Sequence, residues 1–428
     1  MKRITGFLIS VCIALTSGTA LADPSGLNAK ALEELQAAGV DKYLGTSESV
    51  ASEYGDWTRH DFDPKYTLDL SYPNFARPDG PVRIAGSPYS VFTREGDPKK
   101  LLIFMQGGGA CWQNFSFCNV LAEAQAPTPT GPYPGVFDPT SLNNPFADYS
   151  VVYMPYCDGS TFGGDNDVKN DPAFPFSATR HHRGLRNASA GMDVAADMFP
   201  KAKQITVMGH SAGGVGAAGF APFLARFAFG NNTKLTVYND AGPIALNLGT
   251  SPAAGGPDLT WLSVNARQND WQFQQFYPQS CIDEGLCDEF GQQTGIIKWR
   301  LQNDSTVREA FYETDTDATN RFFAQGDGAT RMDPEAYRAL ILAEHGAINE
   351  AFPRRYKRFI VSGDDTHGAV QVTAGTMNFP ADPFSFYTKD ANGTVVVDWA
   401  REFVRIGQRQ SKFGWKDIVE DYVPVPVP

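Results

Sequence analysis

The stretch ITVMGHSAGGVGAAG, from Ile205 to Gly219, decides the fold of this chain. It begins with an apolar, β-branched run, turns sharply in GHSAG at 209–213, and continues into small residues that suit a helix. A strand, a tight turn and a helix in this order are the context of a G-x-S-x-G nucleophile elbow, which exposes a serine hydroxyl. We therefore predict that Ser211 is a nucleophile and that Gly209 and Gly213 keep the turn free of Cβ crowding.

Further apolar runs alternate with helical patterns on both sides of the elbow. This alternation predicts a doubly wound, mostly parallel sheet, and the elbow specifies an α/β-hydrolase fold with inserted loops and a cap. Residues 23–95 are expected to form the cap and antiparallel edge strands, and residues 119–148 a long surface loop. The expected strands are 101–105, 149–154, 205–210, 234–238 and 358–362, and the expected helices are 187–199, 212–227, 332–351 and 395–406.

The two ends of the chain differ in composition from the rest. Lys2 and Arg3 precede an apolar run at 7–15, and Ala20-Leu21-Ala22 offers an A-x-A cleavage site. The sequence therefore predicts a signal peptide over 1–22 and a single catalytic domain over 23–428, with a short proline-rich C-terminal tail. We expect a periplasmic or extracellular protein, with no membrane segment in the mature chain.

Charge and motif content exclude several function classes. The formal net charge of −12 at pH 7 disfavours nucleic acid as a partner, because the phosphate backbone is itself negative. The sequence contains no H-E-x-x-H motif and no clustered Cys/His ligand set, so we expect neither a metal nor an organic cofactor.

Cysteine spacing suggests two short loops closed by disulfides. An exported protein meets an oxidising environment, in which disulfides persist. Cys111 lies close in sequence to Cys118, and Cys281 to Cys287, so each pair is predicted to form a bridge. Cys157 is then left over and is expected to be a buried free thiol.

A glycine loop, Gly107-Gly108-Gly109, follows the expected strand at 101–105. In α/β hydrolases a loop in this place presents a backbone N–H group to the developing oxyanion. The residue after the nucleophile, here Ala212, presents a second one. The sequence therefore predicts an oxyanion hole between this loop and the elbow.

Chain order selects the general base. α/β hydrolases run in the order nucleophile, acid, base, so the base follows Ser211 in the chain, which leaves His345 and His367. His345 falls within the expected helix 332–351, where an exposed polar position is the simpler expectation. His367 lies in GDDTHG at 363–368, a loop that leaves the last expected strand, and is the predicted base.

The residues alone leave the acid open. Asp240 comes directly after the expected strand 234–238, whereas Asp270 lies in the less regular stretch NARQNDWQ at 265–272. Asp364 and Asp365 are too near His367 in the chain to reach its far nitrogen, and we expect them to form the turn of that loop.

Five short blocks occur in a characteristic order along the chain: MQGGGAC at 105–111, PYCDGSTFGGD at 155–165, GHSAGG at 209–214, NDWQ at 269–272 and DDTHGAVQ at 364–371. In sequence and in order they resemble the pectin acetylesterase family. The most specific is PYCDGSTFGGD, because no general hydrolase motif requires it. The resemblance implies that Ser211 is the nucleophile, His367 the base and Asp270 the acid.

The same resemblance implies roles around the triad. It assigns the oxyanion hole to Gly108, Gly109 and Ala212, makes Asp240 an active-site neighbour outside the triad, and gives Cys111 and Cys118 a family disulfide. One departure concerns the pocket wall: the family has a tryptophan directly after the glycines, where this chain has Ala110. That change leaves the identity of the substrate open.

The function implied by the resemblance is that of a secreted serine carboxylesterase that forms an acyl-enzyme. The expected substrate is an acylated polysaccharide, with acetyl groups on a polymer such as pectin first. One alternative is an esterase or lipase for longer acyl or small-molecule esters. The other is a non-catalytic binding protein on the same scaffold.

Overall fold

The computed structural model describes residues 26–62, 80–112, 115–118, 126–169, 179–243, 269–287, 293–325, 330–363, 365–370, 385–405 and 414–424. The predicted signal peptide at 1–22 lies outside these residues, as does Asp364.

Ten strands of the described residues form one sheet. Their order across the sheet is β1-β2-β3-β5-β4-β6-β7-β8-β9-β10, where the labels follow the chain. The strands are β1 (Ser49–Tyr54), β2 (Trp57–Phe62), β3 (Ser90–Arg94), β4 (Asp97–Met105), β5 (Tyr149–Met154), β6 (Gln204–His210), β7 (Lys234–Asp240), β8 (Arg308–Thr314), β9 (Tyr356–Val361) and β10 (Ile418–Val419).

The strands from β4 to β10 are mutually parallel, whereas β1, β2 and β3 join the sheet edge through antiparallel pairs. This arrangement confirms the predicted α/β-hydrolase architecture, including the antiparallel strands before residue 95. The strand order reverses around β4, and in such sheets ligands bind beyond the carboxyl ends of the strands near the reversal.

Helices connect the strands on both faces of the sheet. The expected helix after the elbow is two helices, α3 and α4, which meet at an angle of 50°. The helices are α1 (Ala29–Ala37), α2 (Gly184–Met198), α3 (Ala212–Ala218), α4 (Ala221–Phe229), α5 (Gln279–Asp283), α6 (Gln293–Asn303), α7 (Ala318–Gln325), α8 (Pro334–Ala351), α9 (Ser385–Thr388) and α10 (Val396–Val404).

The central strands are buried on both faces because their apolar residues run without interruption. In β6, Ile205 and Val207 pack into the core layer that contains α2 and α4. Met208 packs into the opposite layer, which contains α10. Successive side chains of a strand point to opposite faces, so one continuous apolar run supplies both layers. Because burial on both faces requires such apolar runs, these strands of the parallel sheet could be predicted from the sequence.

Strand β8 was not predicted from the sequence. Its residues REAFYET at 308–314 carry Glu309 and Glu313, which are nearly or completely buried. Glu309 accepts two hydrogen bonds from Arg300, at 2.7 and 2.8 Å, which neutralise its charge within the fold. A strand whose polar residues are paired in this way lacks the apolar run on which the prediction depended.

The described cysteines agree with most of the predicted pairing. Cys281 and Cys287 form a disulfide whose Cα atoms are 5.1 Å apart. Cys111 is also disulfide-bonded, although the side chain of its predicted partner Cys118 lies outside the described residues. Cys157 is a buried free thiol, as expected.

Segment 414–424 holds the end of β9. Glu420 accepts a hydrogen bond from the backbone N–H of Ser362 at 2.9 Å, and the Ser362 hydroxyl accepts one from the N–H of Val423 at 2.8 Å. The contacts fix the point at which the chain leaves β9 for the loop that carries His367.

Within the described ranges no single helix has the length and apolar composition needed to cross a membrane; the bent pair α3 and α4 meets that test only when its two helices are taken together.

Candidate active site

The nucleophile elbow has the geometry that the sequence predicts. β6 ends at His210, Ser211 occupies the turn with φ 54° and ψ −121°, and α3 begins at Ala212. A positive φ is a strained conformation for a residue that carries a Cβ. A Cβ on Gly209 would lie 2.0 Å from the carbonyl oxygen of Gly213, so the glycine there is required.

The glycine loop lies directly against the nucleophile. A Cβ on Gly107 would lie 2.8 Å from the Cβ of Ser211, which shows how closely the two segments approach. Gly109 has a φ of 87°, which favours glycine. Gly107 therefore borders the nucleophile. The predicted oxyanion residues are its chain neighbours Gly108 and Gly109, together with Ala212, which follows Ser211 directly. That their backbone N–H groups bind the oxyanion remains a prediction.

His367 meets Asp317 rather than either aspartate expected from the sequence. Its Nδ1 lies 2.7 Å from Oδ2 of Asp317, and its Nε2 is buried with no hydrogen-bond partner among the described residues. A carboxylate at Nδ1 holds the proton on that nitrogen and leaves Nε2 as the acceptor. His367 is therefore prepared to accept a proton through Nε2.

Asp317 is positioned by the start of α7. Its side chain is completely buried, and Asn320 donates to it twice, from the backbone N–H at 2.8 Å and from the side-chain amide at 3.2 Å. The N-terminal end of a helix favours a negative charge. These donors satisfy the oxygens of a carboxylate from which water is excluded.

Asp270 is a correction to the expected triad. Its Oδ2 accepts a hydrogen bond from Arg180 at 2.9 Å, and both side chains are buried. The charge of Asp270 is thus used to neutralise a buried guanidinium. The carboxylate at Nδ1 of His367 is that of Asp317, whose place between Ser211 and His367 in the chain fits the order nucleophile, acid, base.

Asp240 lies beside the site but serves a second histidine. Its Oδ2 lies 2.7 Å from Nδ1 of His210, and both side chains are buried. The prediction of Asp240 as an active-site neighbour thus agrees with this geometry. The alternative in which Asp240 is the acid at Nδ1 of His367 does not agree with this geometry.

The acidic groups decide how His367 titrates. Burial by itself disfavours the imidazolium, but the carboxylates of Asp317 and Asp240 outweigh it and raise the pKa of His367 above its ordinary value. Glu313 stands behind Asp317, and Asn320 donates to both. Burial, reinforced by the charge of Asp317, raises the pKa of Glu313 well above its ordinary value, which favours its neutral form.

His345 also differs from expectation. It lies in α8 as predicted, but it is completely buried, with its ring stacked on Phe311 at 3.7 Å and its Nδ1 2.5 Å from the hydroxyl of Tyr356. It is therefore a core residue and not an exposed polar position.

The sequence signal for Asp317 was present but weak. Asp317 ends the run ETDTD at 313–317, directly after β8. Carboxyl ends of parallel strands meet at one edge of a sheet, so recognition of β8 would have placed Asp317 beside Ser211 and His367.

Strand order, elbow and base loop together define the chain as an α/β hydrolase. Residues 55–247 match the model of the family described as Pectinacetylesterase. The match confirms the resemblance indicated by the sequence blocks and supports esterase activity. No curated protein matches the chain significantly.

Solved structures share the fold. The Wnt deacylase Notum from Drosophila, in crystal form II, is 16% identical, with 75% of this chain and 89% of that chain covered and a TM-score of 0.50. Crystal form I of the same protein is 15% identical, with 77% and 90% covered and a TM-score of 0.49. At this identity the likeness concerns the fold alone.

Proposed function

We propose that the protein is a serine carboxylesterase in which Ser211, His367 and Asp317 carry out acyl transfer to water. The observation that carries the proposal is the hydrogen bond between His367 Nδ1 and Asp317, which leaves Nε2 of His367 without a partner among the described residues. Both residues lie at the carboxyl ends of the parallel strands, as does Ser211 with its strained backbone. The glycine loop against Ser211 supports the same reading.

The chemistry follows from these positions. Ser211 Oγ attacks the ester carbonyl carbon while His367 Nε2 takes its proton, and Asp317 stabilises the imidazolium that forms. The oxyanion is bound by N–H groups of the glycine loop and Ala212. The imidazolium protonates the departing alcohol, after which water, deprotonated by His367, releases the acid and regenerates Ser211.

Acetyl groups on a polysaccharide such as pectin are the proposed substrate, on the strength of the family match. An ester with a longer acyl group is the alternative; the neighbour of known structure is described as a deacylase. Hydrolysis rates across a p-nitrophenyl series from acetate to palmitate separate the two, because a long chain needs a deep apolar slot.

We further propose export and a single catalytic domain over 23–428. A disulfide between Cys281 and Cys287 suits an oxidising compartment, and one sheet spans strands from Ser49 to Val419. The expectation of a removed signal peptide over 1–22 is checked by sequencing the N-terminus of the secreted protein.

The test of the nucleophile is Ser211→Ala, with Ser52→Ala on the exposed edge strand β1 as the matched control. We expect Ser211→Ala to lose p-nitrophenyl acetate hydrolysis by about 10⁴-fold or more and to resist fluorophosphonate labelling, with an unchanged melting temperature. We expect Ser52→Ala to hydrolyse p-nitrophenyl acetate and to react with the fluorophosphonate as the parent protein does. A Ser211→Ala protein within about tenfold of the parent would remove the proposal. A parent protein that neither hydrolyses the ester nor takes the label would favour a binding protein.

A further inference from the structure

A second histidine–aspartate pair lies beside the first. Nδ1 of His210 is 2.7 Å from Oδ2 of Asp240, and the two side chains are 1% and 0% exposed. The rings of His210 and His367 meet edge to face, with centroids 4.8 Å apart. His210 is the residue directly before the nucleophile, so this pair stands between the elbow and the base.

Asp240 binds both segments that must be aligned for catalysis. Its carbonyl oxygen accepts a hydrogen bond from the N–H of Ser211 at 2.7 Å. Its carboxylate accepts bonds from the N–H of Ala369, at 2.9 and 3.1 Å, and from the N–H of Val370 at 3.3 Å. One residue at the end of β7 thus holds the nucleophile and the chain that follows the base.

The backbone at Gly368 lies in close contact with both His210 and Asp240. Gly368 has a φ of 70°, and a Cβ there would lie 2.3 Å from Cε1 of His210 and 2.5 Å from Oδ2 of Asp240. The backbone next to His367 is therefore seated directly on the pair.

We propose that His210 and Asp240 form a positioning pair that docks the loop of His367 onto the nucleophile elbow and aligns the base with Ser211. The inference rests on the proposed esterase function. It assigns to Asp240 a task distinct from that of Asp317: Asp317 selects the tautomer of His367, whereas Asp240 fixes the backbone that carries it.

Electrostatics gives the pair a measurable signature. Asp240 is one of two carboxylates that raise the pKa of His367 against the effect of burial. Burial lowers the pKa of His210 despite its bond to Asp240, so His210 is neutral at neutral pH. The acid limb of kcat/KM against pH follows His367, because only the neutral imidazole accepts a proton.

Two further charged side chains described in or against the loop have partners of their own. Asp365 accepts from Arg321 at 3.1 Å, and Lys389 donates to the hydroxyl of Thr366 at 3.1 Å. These groups do not change in the variants below, so a shift of the acid limb reports on Asp240.

The experiment measures kcat and the pH profile of kcat/KM for the full-length protein with p-nitrophenyl acetate. Asp240→Asn keeps the size of the side chain and removes its charge. We expect kcat to fall about 10- to 100-fold, since small misplacements of catalytic groups have effects of this size. The acid limb moves to lower pH, because a group that raised the pKa of His367 is gone.

His210→Gln is the second variant and serves if Asp240→Asn fails to fold. Its amide can still donate to Asp240, but it lacks the ring that packs on His367. We expect a fall in kcat of about tenfold with an unmoved acid limb, because a neutral group is replaced by another neutral group.

Asp304→Asn is the matched control. Asp304 is a buried aspartate whose side chain accepts a hydrogen bond from Arg226 at 2.7 Å. It precedes β8 and so lies at the amino ends of the parallel strands, whereas the site lies at their carboxyl ends. We expect it to lower the melting temperature and leave kcat per folded molecule and the acid limb unchanged. A purely structural role for Asp240 predicts this same pattern for Asp240→Asn.

Two results would overturn the inference: parental kcat in folded Asp240→Asn or His210→Gln, or an unmoved acid limb in Asp240→Asn. Failure of the esterase proposal is distinguishable, because it appears as retained activity in Ser211→Ala.

Discussion

Asp317 is a completely buried aspartate, and its protein environment supplies the hydrogen-bond donors that water would supply at the surface. The amide groups of Asn320 and the Nδ1–H of His367 donate to it, at distances of 2.7 to 3.2 Å. A buried charge is tolerated only when such donors replace its hydration shell. The same donors fix the direction in which the imidazole of His367 points.

We expect Asp317→Asn to be nearly inactive and folded. An amide at this position favours the wrong tautomer of His367, and the comparable change in a serine protease lowers kcat by about 10⁴-fold. Steady-state kinetics on protein shown to be folded by circular dichroism makes the measurement.

Asp270→Asn is the matched variant at the aspartate that the sequence favoured. Removal of its charge leaves Arg180 buried without that countercharge, so we expect a loss of roughly 3 kcal/mol in unfolding free energy with kcat per folded molecule retained. An inactive, stable Asp270→Asn together with an active Asp317→Asn would return the acid to Asp270.

At the scale of elements, the sequence predicts what continuous patterns encode. The elbow strand β6 and the strands β4, β5, β7 and β9 are apolar runs, and the base loop follows the last of them. Strand β8 escaped prediction because Glu309 and Glu313 are buried with partners, Arg300 and Tyr337, that come from α6 and α8. Such pairing is a tertiary fact, and with β8 missing from the prediction the acid at its end was missing too.

The elbow glycines permit a matched test of close approach. A Cβ on Gly213 would lie 2.0 Å from the carbonyl oxygen of Met105, so Gly213→Ala pushes α3 away from β4. We expect a lower melting temperature and a loss of activity of about 100-fold or more.

Gly346→Ala is the control for the Gly213 variant. Gly346 lies within α8, and the nearest atom to its added Cβ is the flexible guanidinium end of Arg358 at 3.0 Å. Alanine is the better helix former, whereas the guanidinium of Arg358, which is bonded to Asp417, must shift by a few tenths of an ångström. We expect a smaller change in melting temperature than in Gly213→Ala and an unchanged kcat. Equal losses in both variants would show that close packing at the elbow is not the cause.

For the whole molecule, buried histidines set the response to acid. Burial lowers the pKa of His182 and of His345 to about 3. Both stay neutral in the folded chain as the pH falls but take up protons on unfolding, so folded stability declines from the ordinary histidine pKa of about 6.5 down to the folded value. Asp158, whose pKa burial raises to about 6, opposes this trend.

His345→Gln isolates one of these protons. The variant loses one site that protonates only on unfolding, so the slope of unfolding free energy against pH between pH 6 and 4 should decrease by about 1.4 kcal/mol per pH unit. Urea unfolding at several pH values measures this slope, whatever the absolute stability of the variant. An unchanged slope would show that His345 titrates normally in the folded protein.

The two hydrogen bonds that join Ser362 to Glu420 and Val423 bear on the order in which the site forms during biosynthesis. Segment 414–424 is made after the loop that carries His367, yet it holds the start of that loop at Ser362. A chain that emerges from the ribosome N-terminus first therefore contains the nucleophile and the base before it contains the segment that secures their frame. The frame that aligns the base with the nucleophile is therefore complete only once this segment has emerged and folded onto β9.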